Sequence, residues 1–288
     1  MINSLLNKKS INQLDTVKVK QGRFVNFTDS VSVEEPLEIR ILFGSTGNKT
    51  EKNISITMRT PGNDVELAIG FLFTEGIINS YKEIKTVKST EEGTPLLQEN
   101  RVIVELSDGY NPEIGNSDRN FYTTSSCGVC GKSSIQAIKT VNKYQNIKKK
   151  SLKINTEIFY ALAEVLKKTQ SNFEITGGIH ASAIFDLEGN LNAMREDVGR
   201  HNALDKLIGY FLINNHLPLN DKILLLSGRA SFELIQKASM AGVSLIASIG
   251  APSSLAVSIA KEFDMTLIGF LKKDSMNIYH KSLKHSFY

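Results

Sequence analysis

The residues best suited to chemistry are two cysteines three apart, Cys127-Gly128-Val129-Cys130. Thr123-Thr124-Ser125-Ser126 precedes them and Gly131-Lys132 follows. A glycine after each cysteine lets the loop bend and another molecule approach the sulfurs. Helical text starts just beyond, at Ile135–Val141. Backbone N–H groups at a helix start stabilise a thiolate, and Lys132 adds positive charge nearby. The run therefore predicts a nucleophilic thiolate. Several chemistries are open to it. Structural zinc wants about four ligands, and the thiols supply two; His180 and His201 could add more, but no second pair has metal spacing. A thioredoxin-like dithiol would sit early in a βαβ unit, whereas this pair follows a linker. A sulfur-carrying thiol fits an exposed, activated cysteine. Two unreactive cysteines would sit buried, and the glycine-rich setting argues against that.

Two strand-to-helix junctions carry small polar residues: Ser227-Gly228-Arg229-Ala230-Ser231 and Gly250-Ala251-Pro252-Ser253-Ser254. Helix N-termini offer free N–H groups to an anion, and open α/β sheets bind ligands beyond the carboxyl ends of their strands. Arg229 adds a bidentate donor. Neither loop matches a P-loop or a Gly-x-Gly-x-x-Gly fingerprint, so ordinary ATP or NAD binding is disfavoured.

The densest polar run is Arg195-Glu196-Asp197-Val198-Gly199-Arg200-His201-Asn202. If the following helix starts early, Asp197 and His201 share one face. Capping with surface ion pairs would explain the run; a ligand or partner site is the preferred reading. His180, in Gly177-Gly178-Ile179-His180-Ala181, suits a structural or a functional role equally.

These residues need elements to position them. Residues 1–22 read as a flexible lead-in, and 23–120 as an N-terminal α+β domain. Its strands lie around Val31–Val33, Leu37–Ile41, Ile54–Met58, Ile84–Val87 and Arg101–Leu106. Thr60-Pro61-Gly62-Asn63-Asp64 punctuates it and opens a mostly buried helix over Val65–Phe73, with Asn63 or Asp64 as N-cap. Turn-rich text from 107 to 120 marks the boundary. Residues 121–288 form the second domain, with the Cys-x-x-Cys loop at its start. Helices are expected over Ile158–Lys168, Val198–Ile213 (long and amphipathic), Phe232–Ala241 and Leu255–Phe263. Strands are expected over Ile179–Phe185, Leu191–Arg195, Lys222–Leu226, Ser244–Ile249 and Thr266–Leu271. Strand, loop, helix, strand predicts partly parallel pairing, hence α/β. Lys139, Lys143, Lys148, Lys149, Lys150 and Lys153 make one segment basic, as a solvated face or a dock for an acidic partner.

The whole chain narrows the class. In its 288 residues, 34 Lys+Arg against 30 Asp+Glu give +4, too little excess for a basic nucleic-acid binder. Two cysteines make no disulfide framework and point to a reducing compartment. Met1–Leu14 lacks the pattern of a secretory signal. Ala238–Ala260 is uncharged and long enough to span a membrane, but holds Gly242, Gly250, Pro252 and six serines. It reads as helix end, buried strand and new helix start. A soluble cytoplasmic protein is expected, with no nucleic-acid or membrane partner.

The motifs occur together in one order: Thr60-Pro61-Gly62-Asn63-Asp64-x-Glu66-Leu67-Ala68-x-Gly70-Phe71-Leu72, Ser126-Cys127-Gly128-x-Cys130-Gly131, Thr176-Gly177-Gly178-x-His180-Ala181, Arg195–Lys206, Ser227-Gly228-Arg229 and Gly250-Ala251-Pro252-Ser253. The chain resembles the FdhD-type formate dehydrogenase accessory sulfurtransferases from about Pro36 to His280. The resemblance implies a cytidine-deaminase-like three-layer α/β core with a smaller N-terminal α+β domain, often as a homodimer. It implies catalytic Cys127 and Cys130. Cys127 would accept persulfide sulfur from a cysteine desulfurase, and Cys130 would assist or share it. The sulfur would pass to the molybdenum (or tungsten) bis-pterin guanine dinucleotide, a bound substrate destined for formate dehydrogenase. No permanently bound metal is expected. The family's C-terminal cofactor-binding stretch falls on Phe270-Leu271-Lys272-Lys273-Asp274-Ser275. Arginines are common there; Lys272 and Lys273 keep the charge and lose the bidentate geometry. The Ser227–Arg229 and Gly250–Ser253 loops, with His201, are the further candidates for holding this polyanion.

A deaminase-like fold raises deaminase chemistry as a rival. Zinc deaminases use His-x-Glu followed by Pro-Cys-x-x-Cys. Here Ala181-Ser182 follows His180, the cysteine pair precedes the histidine, and Ser126 precedes Cys127. That chemistry is disfavoured. A cofactor-binding chaperone without sulfur chemistry is the other alternative.

Overall fold

The computed structural model describes residues 10–89, 100–112, 144 and 150–288. The fold is mixed α/β. Strands β1 (Ile11–Lys20) and β2 (Arg23–Ser32) form an antiparallel ribbon. Gln21 and Gly22 turn it, with φ of 49° and 75°, the two positive values a type I′ turn needs. Residues 11–20 are therefore not the loose lead-in their polarity suggested. Alternating Val17 and Val19 give them strand character, and Val19 pairs directly with Phe24.

Strands β3 (Glu35–Ser45), β4 (Asn48–Arg59), β5 (Ile84–Ser89) and β6 (Arg101–Leu106) form a sheet in the order β4-β3-β6-β5, with β3 and β6 parallel. One face buries Leu37, Ile39, Ile41, Val102, Val104 and Leu106 at alternate positions. Helix α1 (Asp64–Thr74) covers that face. Asn63 occupies its N-cap position in the left-handed region, but its side chain caps nothing. Asp64 instead takes a buried two-pronged bond from Arg59, Nε to Oδ1 at 2.9 Å and Nη2 to Oδ2 at 2.8 Å.

The remainder runs β7 (Leu152–Ile154), α2 (Thr156–Thr169), α3 (Ser171–Thr176), β8 (His180–Phe185), β9 (Leu191–Asp197), α4 (Arg200–Ile213), β10 (Ile223–Leu226), α5 (Phe232–Met240), β11 (Leu245–Ser248), α6 (Ser254–Glu262), β12 (Thr266–Gly269), β13 (Asn277–His280) and β14 (His285–Phe287). The main sheet has the order β13-β12-β11-β10-β8-β9. Strands β10, β11 and β12 are parallel; β8, β9 and β13 pair antiparallel. The short pair β7–β14 stands apart. Strands β13 and β14 were not foreseen, being short and mostly without buried alternation.

The parallel strands are apolar on both faces, as strands covered on both sides must be. Ile223, Leu225, Leu245 and Ala247 pack toward Phe159, Leu162 and Leu166 of α2. Leu224, Leu226, Ile246 and Leu267 face α4, α5 and α6. That second core continues without a break into the four-stranded sheet. Helix α4 lies between the two sheets, which changes its character. Expected to be amphipathic, it is buried nearly all round, with Asn202, Asp205 and Lys206 inside beside Leu204, Leu207 and Ile208. Its polar groups must then find partners within the protein. Among the described residues no helix is long and apolar enough to cross a membrane.

Candidate functional site

Three loops leave the carboxyl ends of β10, β11 and β12 and are sewn together by backbone bonds. Ile249 N donates to Leu226 O at 3.0 Å, and Gly250 N to Gly228 O at 3.1 Å. Ala230 N donates to Ala251 O at 3.2 Å, and Phe270 N to Gly250 O at 3.1 Å. Gly250 is needed for this contact, since a Cβ there would lie 2.9 Å from Gly228 O and from Arg229 N. The segments 227–229, 250–253 and the start of 270–275 thus form one surface.

Their side chains differ in what they can offer. Arg229, Lys272, Lys273, Asp274 and Ser275 are exposed. Phe270 sits at φ 51° with 43% of its surface exposed, presenting its ring outward. Ser227 Oγ accepts the Ala181 N–H at 2.8 Å, leaving its own proton to donate. Ser253 caps α6 by accepting Ala256 N–H at 3.1 Å. Ala251 and Pro252 contribute backbone and shape, Pro252 bridging to Ala230. Leu271 points into the core, so only its backbone reaches the surface.

Beside these loops opens a cleft of about 570 Å³, lined among others by Tyr160, Lys167, Phe173, His180, Ser227 and Lys273. Val198, two residues before α4, also belongs to its lining. No acidic residue occupies the first turn of that helix, and Gly199 provides no side-chain cap. Arg200 stands there with its Nε buried and without a hydrogen-bond partner. His201 Nε2 lies 3.3 Å from Ser231 Oγ and 3.8 Å from Glu233 Oε2. Burial, then the Arg200 and Lys237 cations, push the His201 imidazole down to about 3. His180 also falls below its ordinary value, through burial and then Arg200. Gly228 packs on it: a Cβ at Gly228 would lie 3.1 Å from His180 Nδ1. Neutral imidazoles, a guanidinium and a helix N-terminus together favour an anion.

The rest of the Arg195–Lys206 run faces inward, contrary to its reading as a ligand site. Arg195 grips Glu66 of α1, with Nη2 to Oε1 at 2.8 Å, and stacks 4.6 Å from the Tyr210 ring centre. Glu196 accepts the N–H groups of Asn172 and Phe173 at the start of α3, while burial holds its carboxyl up. Asp197 takes Lys206 Nζ at 2.8 Å, Gly199 N at 2.8 Å and Thr60 N at 3.2 Å. Asn202 Nδ2 donates to Met58 O at 2.8 Å. Asp205 pairs with Lys237 at 2.9 Å and accepts Thr74 Oγ1 at 2.8 Å. The shared Asp197–His201 face does not form, because α4 begins only at Arg200. This run is a seam joining the four-stranded sheet to the helix layer. Arg200, next to His201, is the functional candidate that residue-by-residue reading passed over; its signal is a cation in a helix turn without carboxylates.

Cys127, Cys130 and Lys132 lie outside the described residues, as do Lys139, Lys143, Lys148 and Lys149. Of the basic segment, Lys150 pairs with Asp221 at 2.7 Å.

The model of the FdhD/NarQ family matches residues 33–285. The chain belongs to the FdhD/NarQ family. A Mycolicibacterium paratuberculosis relative, the sulfur carrier protein FdhD, is 44% identical over 266 residues, 91% of this chain and 93% of the relative. The proteins of the same name from Picrophilus torridus and Saccharolobus solfataricus are 45% and 41% identical, covering 88% and 94% of this chain and 90% and 97% of their own. A crystal structure of a Desulfotalea psychrophila protein, assigned as a formate dehydrogenase accessory protein, matches with a TM-score of 0.69 at 20% identity. It covers 96% of this chain and 99% of that one. At that identity the likeness concerns the fold. Among the described residues of this FdhD/NarQ chain, the Arg195–Lys206 run is largely an internal seam, while Ser227–Arg229 and Gly250–Ser253 form a surface at the strand ends.

Proposed function

We propose that this chain carries sulfur for the maturation of formate dehydrogenase. What supports this reading is the agreement of relatives at 41–45% identity, each named sulfur carrier protein FdhD and aligned over most of its length, with the Cys127-x-x-Cys130 pair of this sequence. In the loading step the Cys127 thiolate attacks the outer sulfur of a cysteine desulfurase persulfide. A new S–S bond forms on Cys127, the desulfurase thiolate leaves, and no outside electrons are needed. Cys130 assists or shares the sulfur.

The acceptor in this reading, and so the substrate of the second transfer, is the molybdenum (or tungsten) bis-pterin guanine dinucleotide. The strand-end surface suits a large polyanion with flat rings. Arg229, Lys272 and Lys273 supply exposed positive charge, the Phe270 ring is free to stack, and Arg200 carries an unpaired buried N–H. A hairpin, β8–β9, joined to three parallel strands with helices on both faces supports reading this half as a cytidine-deaminase-like core. The formate dehydrogenase apoprotein is the final partner in this reading, and a chain whose two cysteines make no disulfide framework supports a cytoplasmic location.

The test is formate dehydrogenase activity in cells lacking this chain, restored with wild type or with Cys127→Ala/Cys130→Ala. Restoration by the wild type alone is expected. Equal restoration by the double variant would replace the carrier with a cofactor chaperone.

A further inference from the structure

Helix α2 lines the cleft with Tyr160, Glu164 and Lys167, whose spacing puts them on one side of the helix. Phe173 of α3 and His180 of β8 line it too. The volume of about 570 Å³ lies within the range of small-molecule sites.

Two polar groups of this lining lack protein partners. Gln170, at the junction of α2 and α3, is only 5% exposed, yet its Nε2 is buried without a hydrogen bond. Glu196 lies nearby, but its two oxygens already accept the N–H groups of Asn172 and Phe173. Glu164 carries no ion pair among the described residues. A buried amide N–H without an acceptor is costly unless a ligand supplies one. Tyr160 and Phe173 add aromatic walls, Phe173 with 38% of its surface exposed.

The complement of this set is a flat ring bearing an acceptor beside adjacent N–H donors. An ionised carboxylate accepts from two neighbouring N–H groups at once. A 2-amino-4-oxopyrimidine edge has that order: carbonyl oxygen, ring N–H, exocyclic amine. Adenine does not, since its ring nitrogen is an acceptor and would meet the carboxylate lone pairs.

We propose that the cleft reads a 2-amino-4-oxopyrimidine ring. Glu164 accepts the ring N–H and the exocyclic amine, and Gln170 Nε2 donates to the carbonyl oxygen. Both the guanine and the pterin ends of the acceptor proposed above carry this edge, so the assignment rests on that reading and adds the residues that select the ring. Lys273 lines the cleft and belongs to the 270–275 segment, so a ring held here keeps its phosphate chain at the strand-end loops.

Calorimetry on the full chain with guanosine, inosine and adenosine diphosphates and with neopterin tests this. Guanosine diphosphate should bind on the order of tenfold or more tighter than adenosine diphosphate. Inosine diphosphate lacks the exocyclic amine and should fall between them. Glu164→Gln should bring guanosine diphosphate toward the adenosine diphosphate level and leave adenosine diphosphate unchanged, whereas a misfolded variant would lose both. Gln170→Leu should weaken guanosine and inosine diphosphates alike, because both present the carbonyl. Neopterin separates the two ends of the acceptor. Sensitivity of guanosine diphosphate alone to Glu164→Gln assigns the cleft to the guanine end, of neopterin alone to the pterin end, and of both to either. A Glu164→Gln variant that binds guanosine diphosphate and neopterin as the wild type does, or a wild type that binds neither, would overturn the assignment. Sulfur gain on Cys127 is read separately by mass, so ring selection and sulfur carriage can fail independently.

Discussion

Gly70 of α1 and Gly209 of α4 each lie against the other helix's backbone. A Cβ at Gly70 would fall 1.9 Å from Asp205 O, and one at Gly209 would fall 1.9 Å from Glu66 O. No side chain fits at either position, so the two helices touch main chain to main chain. That approach brings Glu66 within reach of Arg195 and Thr74 within reach of Asp205.

Gly70→Ala should therefore destabilise the protein by about 3 kcal/mol or more, despite alanine's gain of about 1 kcal/mol in helix propensity. Urea unfolding monitored by circular dichroism measures it. An unchanged midpoint would mean that the helices stand farther apart.

Lys206 and Asp197 are both almost completely buried and bonded at 2.8 Å. Lys206→Met leaves a buried carboxylate without its cation and should cost about 3–5 kcal/mol. Adding Asp197→Asn should recover part of that loss. If the double variant is no more stable than the single one in thermal melts, the pair is not what holds the seam.

His201 should make stability depend on pH. Its folded value lies near 3 against an ordinary 6.5. Between those values the unfolded chain binds a proton that the folded chain refuses, so stability falls as pH drops from 7 toward 3. The slope reaches at most about 1.4 kcal/mol per pH unit for this one site. Burial raises the carboxyls of Glu196, Asp197 and Asp205, and they act in the opposite direction. Comparing wild type with His201→Gln at pH 7 and pH 5 isolates the histidine. The variant should lose less stability at pH 5; equal losses would contradict a neutral buried imidazole.

Arg229 tests the strand-end surface as a polyanion site. Its side chain is exposed beside Phe270 and Lys272 in loops that are bonded together. Arg229→Ala should weaken guanosine diphosphate binding on the order of tenfold in calorimetry, and Arg229→Lys less, since lysine keeps charge without the fork. Unchanged affinity would remove Arg229 from the site.

Much of the chemistry-bearing surface was legible because it is local. Ser227-Gly228-Arg229 and Gly250-Ala251-Pro252 are short polar breaks between an apolar strand and a helix, and they lie together at the ends of parallel strands. The Arg195–Lys206 run misled for the opposite reason. Thr60, Glu66 and Lys237, which satisfy its charges, lie far along the chain, and periodicity within one helix reveals no such partner. The same holds for α4, whose polar residues suggested a solvent face until the second sheet covered them. The β1 strand was missed because Gln13 and Asp15 stand on the same face as Val17 and Val19 and cut its apolar alternation short, and only its pairing with β2 makes it a strand.

The most direct test of sulfur carriage by Cys127 is the intact mass of the purified protein after incubation with a cysteine desulfurase and cysteine, read with and without reductant. If Cys127 carries the sulfur, the protein gains one sulfur that reductant removes and that Cys127→Ala abolishes. A folded protein that gains no sulfur, or a Cys127→Ala variant that gains it equally, would contradict a carrier role for Cys127.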